Sequence, residues 1–330
     1  MRAIVSDGKS AHFTEDYPVP VLAVGEALIR VTYAALCNTD REVMSGYSPG
    51  FNNVMGHEFV GVVEAVAEGA DASFVGKRVV GEINLSCFRQ DCVYCSTGRA
   101  SQCRSRTVPG IHNRDGCFAD YLTLPTRLLH LVPDGLSDEA AIFAEPLAAA
   151  LRIVELSHIS PDKPIALVGD GRLAYMIGQV IALTGAPLTV FGLFGEKLEM
   201  FKPFSVETKL IKQGVAPGEK AIADSDTEGY EVVIDATGHP SGLETAIALT
   251  RSGGVLVMKS TYASNVDINM SEVVVRELTI RGNRCGPFAP ALRYLDRGLI
   301  TLPPIEKYDP VNYEDAFKSP AFKVVLDFTL

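Results

Sequence analysis

The sequence predicts an α/β chain of two domains, one β-rich and one built on a doubly wound parallel sheet. Three observations carry that prediction. The chain has 330 residues, more than one hydrophobic core normally organises. Up to about residue 130, short runs of Val, Ile and alternating residues lie between Gly and Pro, which reads as the strands of a small barrel or sandwich. From Lys163 onward, strands alternate with helices, the pattern of parallel βαβ units.

Composition narrows the partners. Ten net negative charges argue against nucleic acid and anionic membranes. No apolar run reaches the roughly 18 residues of a membrane span. The opening residues Met1-Arg2-Ala3-Ile4-Val5 read as a first strand and not as a signal peptide, so a cytoplasmic chain is expected. Seven cysteines without a secretion signal point to metal or reactive thiols over disulfides.

In the β-rich part, residues 25–36, 59–67 and 77–83 are the clearest strands. Cys37-Asn38-Thr39-Asp40 follows the first of these. A Pro-Gly-rich loop, 45–53, runs into Gly56-His57-Glu58-Phe59-Val60-Gly61. Thiolate, imidazole and carboxylate are zinc donors, and a catalytic zinc keeps one position open. Taken singly, Cys37 would be a small buried thiol and His57 a core histidine. Together with Glu58 and Glu145 they point to a metal. Next comes Cys87-x4-Cys92-x2-Cys95-x7-Cys103, the spacing of a closed four-thiolate structural zinc site in a lobe spanning 85–105. Unrelated cysteines, or a redox pair at Cys92 and Cys95, are the alternatives. Cys117 and Cys285 read as packing cysteines, and the remaining histidines as surface or structural.

Residues 137–158 predict a helix, with Ser137 as N-cap and Asp138 and Glu139 in its first turn. Glu145-Pro146 is expected to interrupt it, because the residue before proline avoids the α region. The break would turn Glu145 toward a metal. Read alone, the segment equally suits a surface glutamate in a kinked helix.

The parallel part begins with a strand at 164–168, the turn Gly169-Asp170-Gly171-Arg172-Leu173-Ala174, a helix at 172–184 and a strand at 187–191. Strand, glycine turn, helix and strand set a diphosphate on a helix N-terminus. A strand at 230–235 runs into Thr237-Gly238. A helix at 241–250 and strands at 254–259 and 277–282 follow. Ligands bind at the carboxyl ends of such strands, where Gly169 and Thr237-Gly238 both fall. The tail has a helix at 289–297 and a strand at 321–328 that returns to the first domain.

These pieces, in this order, resemble the zinc-containing medium-chain alcohol dehydrogenases over nearly the whole chain. The resemblance rests on Cys37-Asn38-Thr39-Asp40, Gly56-His57-Glu58, the four-cysteine lobe, Glu145-Pro146-Leu147-Ala148, the Gly169 turn and Asp235-Ala236-Thr237-Gly238. It implies a GroES-like catalytic domain at 1–150, a Rossmann domain at 151–287 and a return to the catalytic domain at 288–330. Glu145-Pro146-Leu147 is similar to the polyol, sugar and threonine dehydrogenase branch. On that similarity Cys37 and His57 are zinc ligands, and Glu58 and Glu145 compete for the third place or alternate as substrate enters. Thr39 matches the hydroxyl that hands on the substrate proton, and Asp40 supports the ligand shell.

Three departures stand out. The structural lobe has two extra residues between Cys87 and Cys92. Glu42 stands where many members place a relay histidine. The second strand ends in Phe191-Gly192-Leu193-Phe194, where an NAD enzyme usually has an acid. Gly192 is expected to leave room for a 2′-phosphate, with Lys197 as the nearest cation, so the choice between NAD and NADP leans to NADP. The implied reaction is reversible oxidation of an alcohol to a carbonyl, by a homodimer or homotetramer. Tyr47, Phe51, Thr261 and Phe288 are expected pocket residues. A zinc-free reductase of enones or quinones, and a non-catalytic nucleotide-binding relative, are the rival functions.

Overall fold

The computed structural model describes residues 1–44, 46, 48–211, 228–262 and 265–330. The expected pocket residue Tyr47 lies outside them. In chain order the first strands are β1 (Ala3–Ser6), β2 (Ala11–Thr14), β3 (Glu26–Ala35), β4 (Glu58–Val66), β5 (Arg78–Gly81), β6 (Tyr121–Pro125) and β7 (Leu129–Leu131). Next come β8 (Ile165–Val168), β9 (Leu188–Gly192), β10 (Glu207–Leu210), β11 (Tyr230–Asp235), β12 (Thr250–Met258) and β13 (Thr279–Gly282). The last are β14 (Ile305–Tyr308) and β15 (Lys323–Asp327). The chain divides into two compact units, Met1–Glu145 with Phe288–Leu330, and Pro146–Pro287.

In the first unit, seven strands form one sheet in the order β14-β15-β3-β4-β5-β7, with β6 on β3. β3 and β4 are antiparallel, and their register sets Ala35 opposite Glu58. That pairing brings Cys37, two residues past Ala35, to the end of β4 where His57 and Glu58 stand. β15 pairs antiparallel with β3, Val325 against Ala35. All five of its residues are buried, which places Lys323 in the interior. The core gathers Ile29, Val31, Met55, Phe59, Phe118, Leu124 and Leu326.

Gly56 is held by backbone geometry and by space. Its φ is +87°, and a Cβ there would lie 2.2 Å from the buried Phe118 ring. Only glycine takes that conformation without strain, so the residue before His57 is fixed by packing.

The second unit is a six-stranded parallel sheet in the order β10-β9-β8-β11-β12-β13. The order reverses between β8 and β11, the switch point at which such folds bind nucleotides. Gly169 follows β8 at φ +126°, and a Cβ on it would lie 2.8 Å from the Ala236 carbonyl oxygen beyond β11. β10 was not predicted. Its Glu-Thr-Lys-Leu stretch at the sheet edge is half-exposed and carries no apolar signature.

The helix predicted over 137–158 is two helices, Asp138–Ala141 and Ala144–Leu156. The break falls at Ile142 and Phe143, not at Glu145-Pro146. Pro146 lies in the first turn of the second helix, where its missing N–H leaves no hydrogen bond unmade. Glu145 is therefore helical, one residue earlier in that turn. No described helix is long and apolar enough to cross a membrane.

A tertiary ion pair ties the last segment to the first helix pair. Lys307 donates to Glu139 at 2.7 Å, and Tyr33 donates to the same carboxylate at 3.1 Å. The Lys307 hydrogen bond, then Glu139's own backbone N–H, hold that carboxyl down at about 2. Its folded pKa lies below its unfolded value of about 4.3, so the pair stabilises the fold above about pH 4.5 and loses that effect as pH falls toward 2. Glu139 is 45% exposed and Lys307 33%, so screening keeps the contribution near 0.5 kcal/mol. Urea unfolding of wild type and Glu139→Gln should differ by that amount at pH 7 and by less at pH 3. An equal difference at both pH values would remove the ion pair from the account.

Candidate active site and metal centres

Cys37 and its neighbours form the first candidate centre. The Cys37 N–H donates to Asp40 Oδ2 at 2.7 Å, and Asp40 Oδ1 lies 3.1 Å from His57 Nδ1. Asp40 is fully buried and His57 is 4% exposed. A carboxylate on Nδ1 fixes the ring and leaves Nε2 for a metal. Burial pushes the His57 imidazole down, but Asp40 and then Cys37 push it up and prevail. Ligand atoms of Cys37, His57 and Glu58 all lie within 4.8 Å of one another. Thiolate, imidazole and carboxylate at that spacing fit a zinc with one position left open. Thr39 Oγ1 lies 3.7 Å from Cys37 Sγ. Glu42 accepts from the Asn38 side-chain amide at 3.1 Å. Glu145, in the first turn of Ala144–Leu156, is not in this cluster.

The four cysteines converge as a second centre. Sγ atoms of Cys87 and Cys95 are 3.7 Å apart, Cys92 and Cys103 3.9 Å, and Cys87 and Cys103 3.5 Å. Tetrahedral zinc with Zn–S bonds near 2.3 Å sets sulfurs about 3.8 Å apart, so the four fit that ion. Backbone N–H groups of Cys95 and Tyr94 pull the Cys92 thiol down, and those of Cys87 and Ser105 pull Cys103 down to about 7, whereas at Cys87 the Arg89 backbone N–H pulls down but burial and the neighbouring thiols prevail and push it up to about 12. Lowered thiols favour the thiolate that a metal needs. The longer Cys87-Cys92 connection is accommodated by Phe88 at φ 51°, with the Arg127 guanidinium 4.7 Å from its ring centroid.

In the second unit the Gly169 turn opens the helix Arg172–Ala182, with Gly171 as N-cap. Nothing lies within 4 Å of a Cβ built on Gly171, so a ligand can approach that backbone. The helix's first N–H groups have no intrahelical partner and suit a diphosphate. Across the switch point, the Thr237 N–H and hydroxyl both donate to the buried Asp235, and the Gly238 N–H donates to Ser260 at 2.8 Å. Asp235 also accepts from the Tyr262 hydroxyl at 2.5 Å.

Comparison with known proteins decides the family. Residues 23–134 match the alcohol dehydrogenase GroES-like domain, and residues 173–296 match the zinc-binding dehydrogenase domain. The chain belongs to the zinc-binding alcohol dehydrogenases. Sorbitol dehydrogenase of Halalkalibacterium halodurans is 27% identical over 305 residues, 90% of this chain and 88% of that protein. L-threonine 3-dehydrogenase of Escherichia fergusonii is 28% identical over 274 residues, 81% and 79% of the two chains. The crystal structure of an alcohol dehydrogenase (rspB) of Escherichia coli CFT073, complexed with NADH, is similar with TM-score 0.88 at 26% identity and covers 99% of each chain. As a family member the chain is an oxidoreductase of alcohols that binds zinc and works with NAD or NADP.

The geometry places three of the expected pocket residues of this dehydrogenase and corrects the expectation about Gly192. Phe51 is 3% exposed within the first unit's core, and Phe288 is 4% exposed with its ring stacked 5.6 Å from His130. Both rings are packed among neighbouring side chains, as the burial of large apolar groups favours. Thr261 is exposed. Gly192 does not open room at the end of β9. A Cβ there would lie 2.8 Å from both Cβ and Oδ2 of Asp170, whose side chain fills that place.

One member of the dehydrogenase's first centre escaped the sequence. Lys323 is 4% exposed and donates to Glu58 Oε2. Its ammonium also lies 5.1 Å from the Phe143 ring centroid. The signal was faint but present: a lysine interrupting the apolar run Phe322 to Leu326, at a depth where a charge must be paired.

Proposed function

We propose that this dehydrogenase interconverts a polyol-like secondary alcohol and its ketone, with Cys37, His57 and Glu58 as the protein ligands of a catalytic zinc. The observation that supports this is the set of three donor types within 4.8 Å of one another, backed by buried Asp40. Bound there, zinc would supply Lewis-acid polarisation of a substrate oxygen, and a bound nicotinamide would supply the hydride chemistry. Asp40 holds the His57 ring and the Cys37 backbone at once. Lys323 neutralises part of the charge on Glu58 and fixes one of its oxygens. The Thr39 hydroxyl receives the substrate proton and passes it outward. In the second unit, Gly169, Asp170, Gly171, Arg172 and Leu173 form the turn that takes the diphosphate, and Gly192, Lys197, Thr237 and Gly238 line the rest of the nucleotide's path.

Polyols are favoured by two features together, Glu145-Pro146-Leu147 and the similarity to sorbitol dehydrogenase. The reading divides the chain into a catalytic domain at 1–150 and 288–330 around a nucleotide-binding domain at 151–287. It extends, on the resemblance, to a cytoplasmic homodimer or homotetramer.

Glu58 and Glu145 are separated by zinc analysis of Glu58→Gln and Glu145→Gln, alongside a panel of polyols and secondary alcohols with both nicotinamides. Loss of a first-sphere carboxylate should weaken zinc by more than the roughly 10–100-fold seen for outer-sphere partners. Glu58→Gln should therefore drop toward one zinc per chain after dialysis, while Glu145→Gln keeps two. The reverse pattern would make Glu145 the ligand. Wild-type protein that oxidises no alcohol on the panel would sink the substrate assignment.

A further inference from the structure

The end of β9 has no acid of its own, yet a carboxylate stands there. Asp170 is the middle residue of Gly169-Asp170-Gly171 and is 8% exposed. Its Oδ2 accepts the Leu193 N–H and the Phe194 N–H, each at 2.8 Å. These are the two backbone donors immediately beyond Gly192. A side chain at 192 would collide with Asp170 at 2.8 Å. Glycine at the end of β9 and aspartate in the turn after β8 are therefore one arrangement: the strand end gave up its side chain, and the neighbouring turn fills the place with an acid.

The place matters because of what a dinucleotide does there. In a doubly wound nucleotide-binding sheet, the group at the end of the second strand faces the adenosine ribose. An acid hydrogen-bonds the ribose hydroxyls, whereas a 2′-phosphate requires a cation or free donors. Successive backbone N–H groups at such a turn are natural anion donors. Here Asp170 has taken both and adds a negative charge beside them. Of the cations around this turn, Lys197 lies over the Phe194 ring, 4.3 Å from its centroid, Arg172 opens the helix after the turn, and Lys209 stands opposite Phe191 on β10.

We propose that Asp170 sets the cofactor specificity of this dehydrogenase, its carboxylate replacing the absent acid of β9, accepting a ribose hydroxyl of NAD(H) and repelling the 2′-phosphate of NADP(H). This reverses the preference that Gly192 suggested in the sequence. It rests on the reading of the chain as a nicotinamide dehydrogenase. Both bonds to the backbone use Oδ2, so Oδ1 is the oxygen a ribose would meet.

The test is a binding titration, independent of turnover. Zinc-loaded full-length protein is titrated with NADH and with NADPH, without alcohol or carbonyl, and Kd is read from nucleotide fluorescence. A like charge set against a bound phosphate costs several kcal/mol, so NADH should bind at least about 100-fold more tightly than NADPH. Asp170→Asn keeps an oxygen for the two N–H groups and removes the charge. It should narrow the ratio to about tenfold or less, mainly by tightening NADPH. Asp170→Ser, which is shorter and also neutral, should do the same. Wild type that binds NADPH as tightly as NADH overturns the proposal even if neither variant folds. A ratio unchanged in both folded variants overturns it too. Wild type that binds neither nucleotide overturns the dehydrogenase reading, and this proposal with it.

Discussion

Cys37→Ala is expected to lower the zinc content from near two ions per chain to near one, and kcat/KM for the best alcohol by about ten-thousand-fold. The two centres share no residue. One is Cys37, His57 and Glu58, and the other is the four cysteines from Cys87 to Cys103. Removing the thiol leaves imidazole and carboxylate, too few donors for a catalytic site that normally uses three protein ligands. Asp40 would keep His57 oriented, so the fold should persist and the loss should fall on metal and rate. Elemental analysis and steady-state kinetics on the same preparation check this. Unchanged zinc with most of the activity retained would mean that Cys37 is only a small thiol at the end of β3.

Cys103→Ser should act on stability. The lobe from 85 to 105 has little core of its own: Leu85 and Cys103 are buried, and the connecting residues are mostly half-exposed or exposed. Its helix Val93–Ser96 has four residues, too short to persist alone. Metal binding that is coupled to folding can contribute about 10 kcal/mol or more, of which the lobe's loss of order returns part. A net loss of several kcal/mol would lower Tm by about 10 °C or more. Differential scanning calorimetry and zinc analysis would then report one ion lost and a lower transition, while the Cys37 centre keeps its ion. An unchanged Tm would show that the lobe is ordered without its metal.

Much of the fold was legible because its signals are local. Gly169-Asp170-Gly171 between an apolar strand and an apolar helix reads as a nucleotide turn within ten residues of chain. Four thiols within 17 residues read as one metal site, since a short loop can bring them together without help from the rest of the fold. Glu145-Pro146 was misplaced for a related reason. Proline forbids the helix interior but is tolerated in a first turn, and the sequence does not say which of the two a given proline occupies. Packing decided it, with Ile142 and Phe143 buried at the break. β10 was missed because an edge strand need not be apolar.

At the candidate sites the sequence by itself determined the chemistry: thiol, imidazole, carboxylate, a glycine turn, and a strand that ends without an acid. Those are properties of residue types and of spacing over a few positions. Only the tertiary structure decided which groups stand beside which. Lys323 reaches Glu58 across 265 residues, because β15 joins the sheet next to β3. Asp170 reaches the end of β9 across 23 residues, because parallel strands β8 and β9 lie side by side and Gly192 leaves the space. Such pairings depend on strand order and register, which chain composition does not encode locally, and they determine whether a missing side chain is an opening or a place already filled.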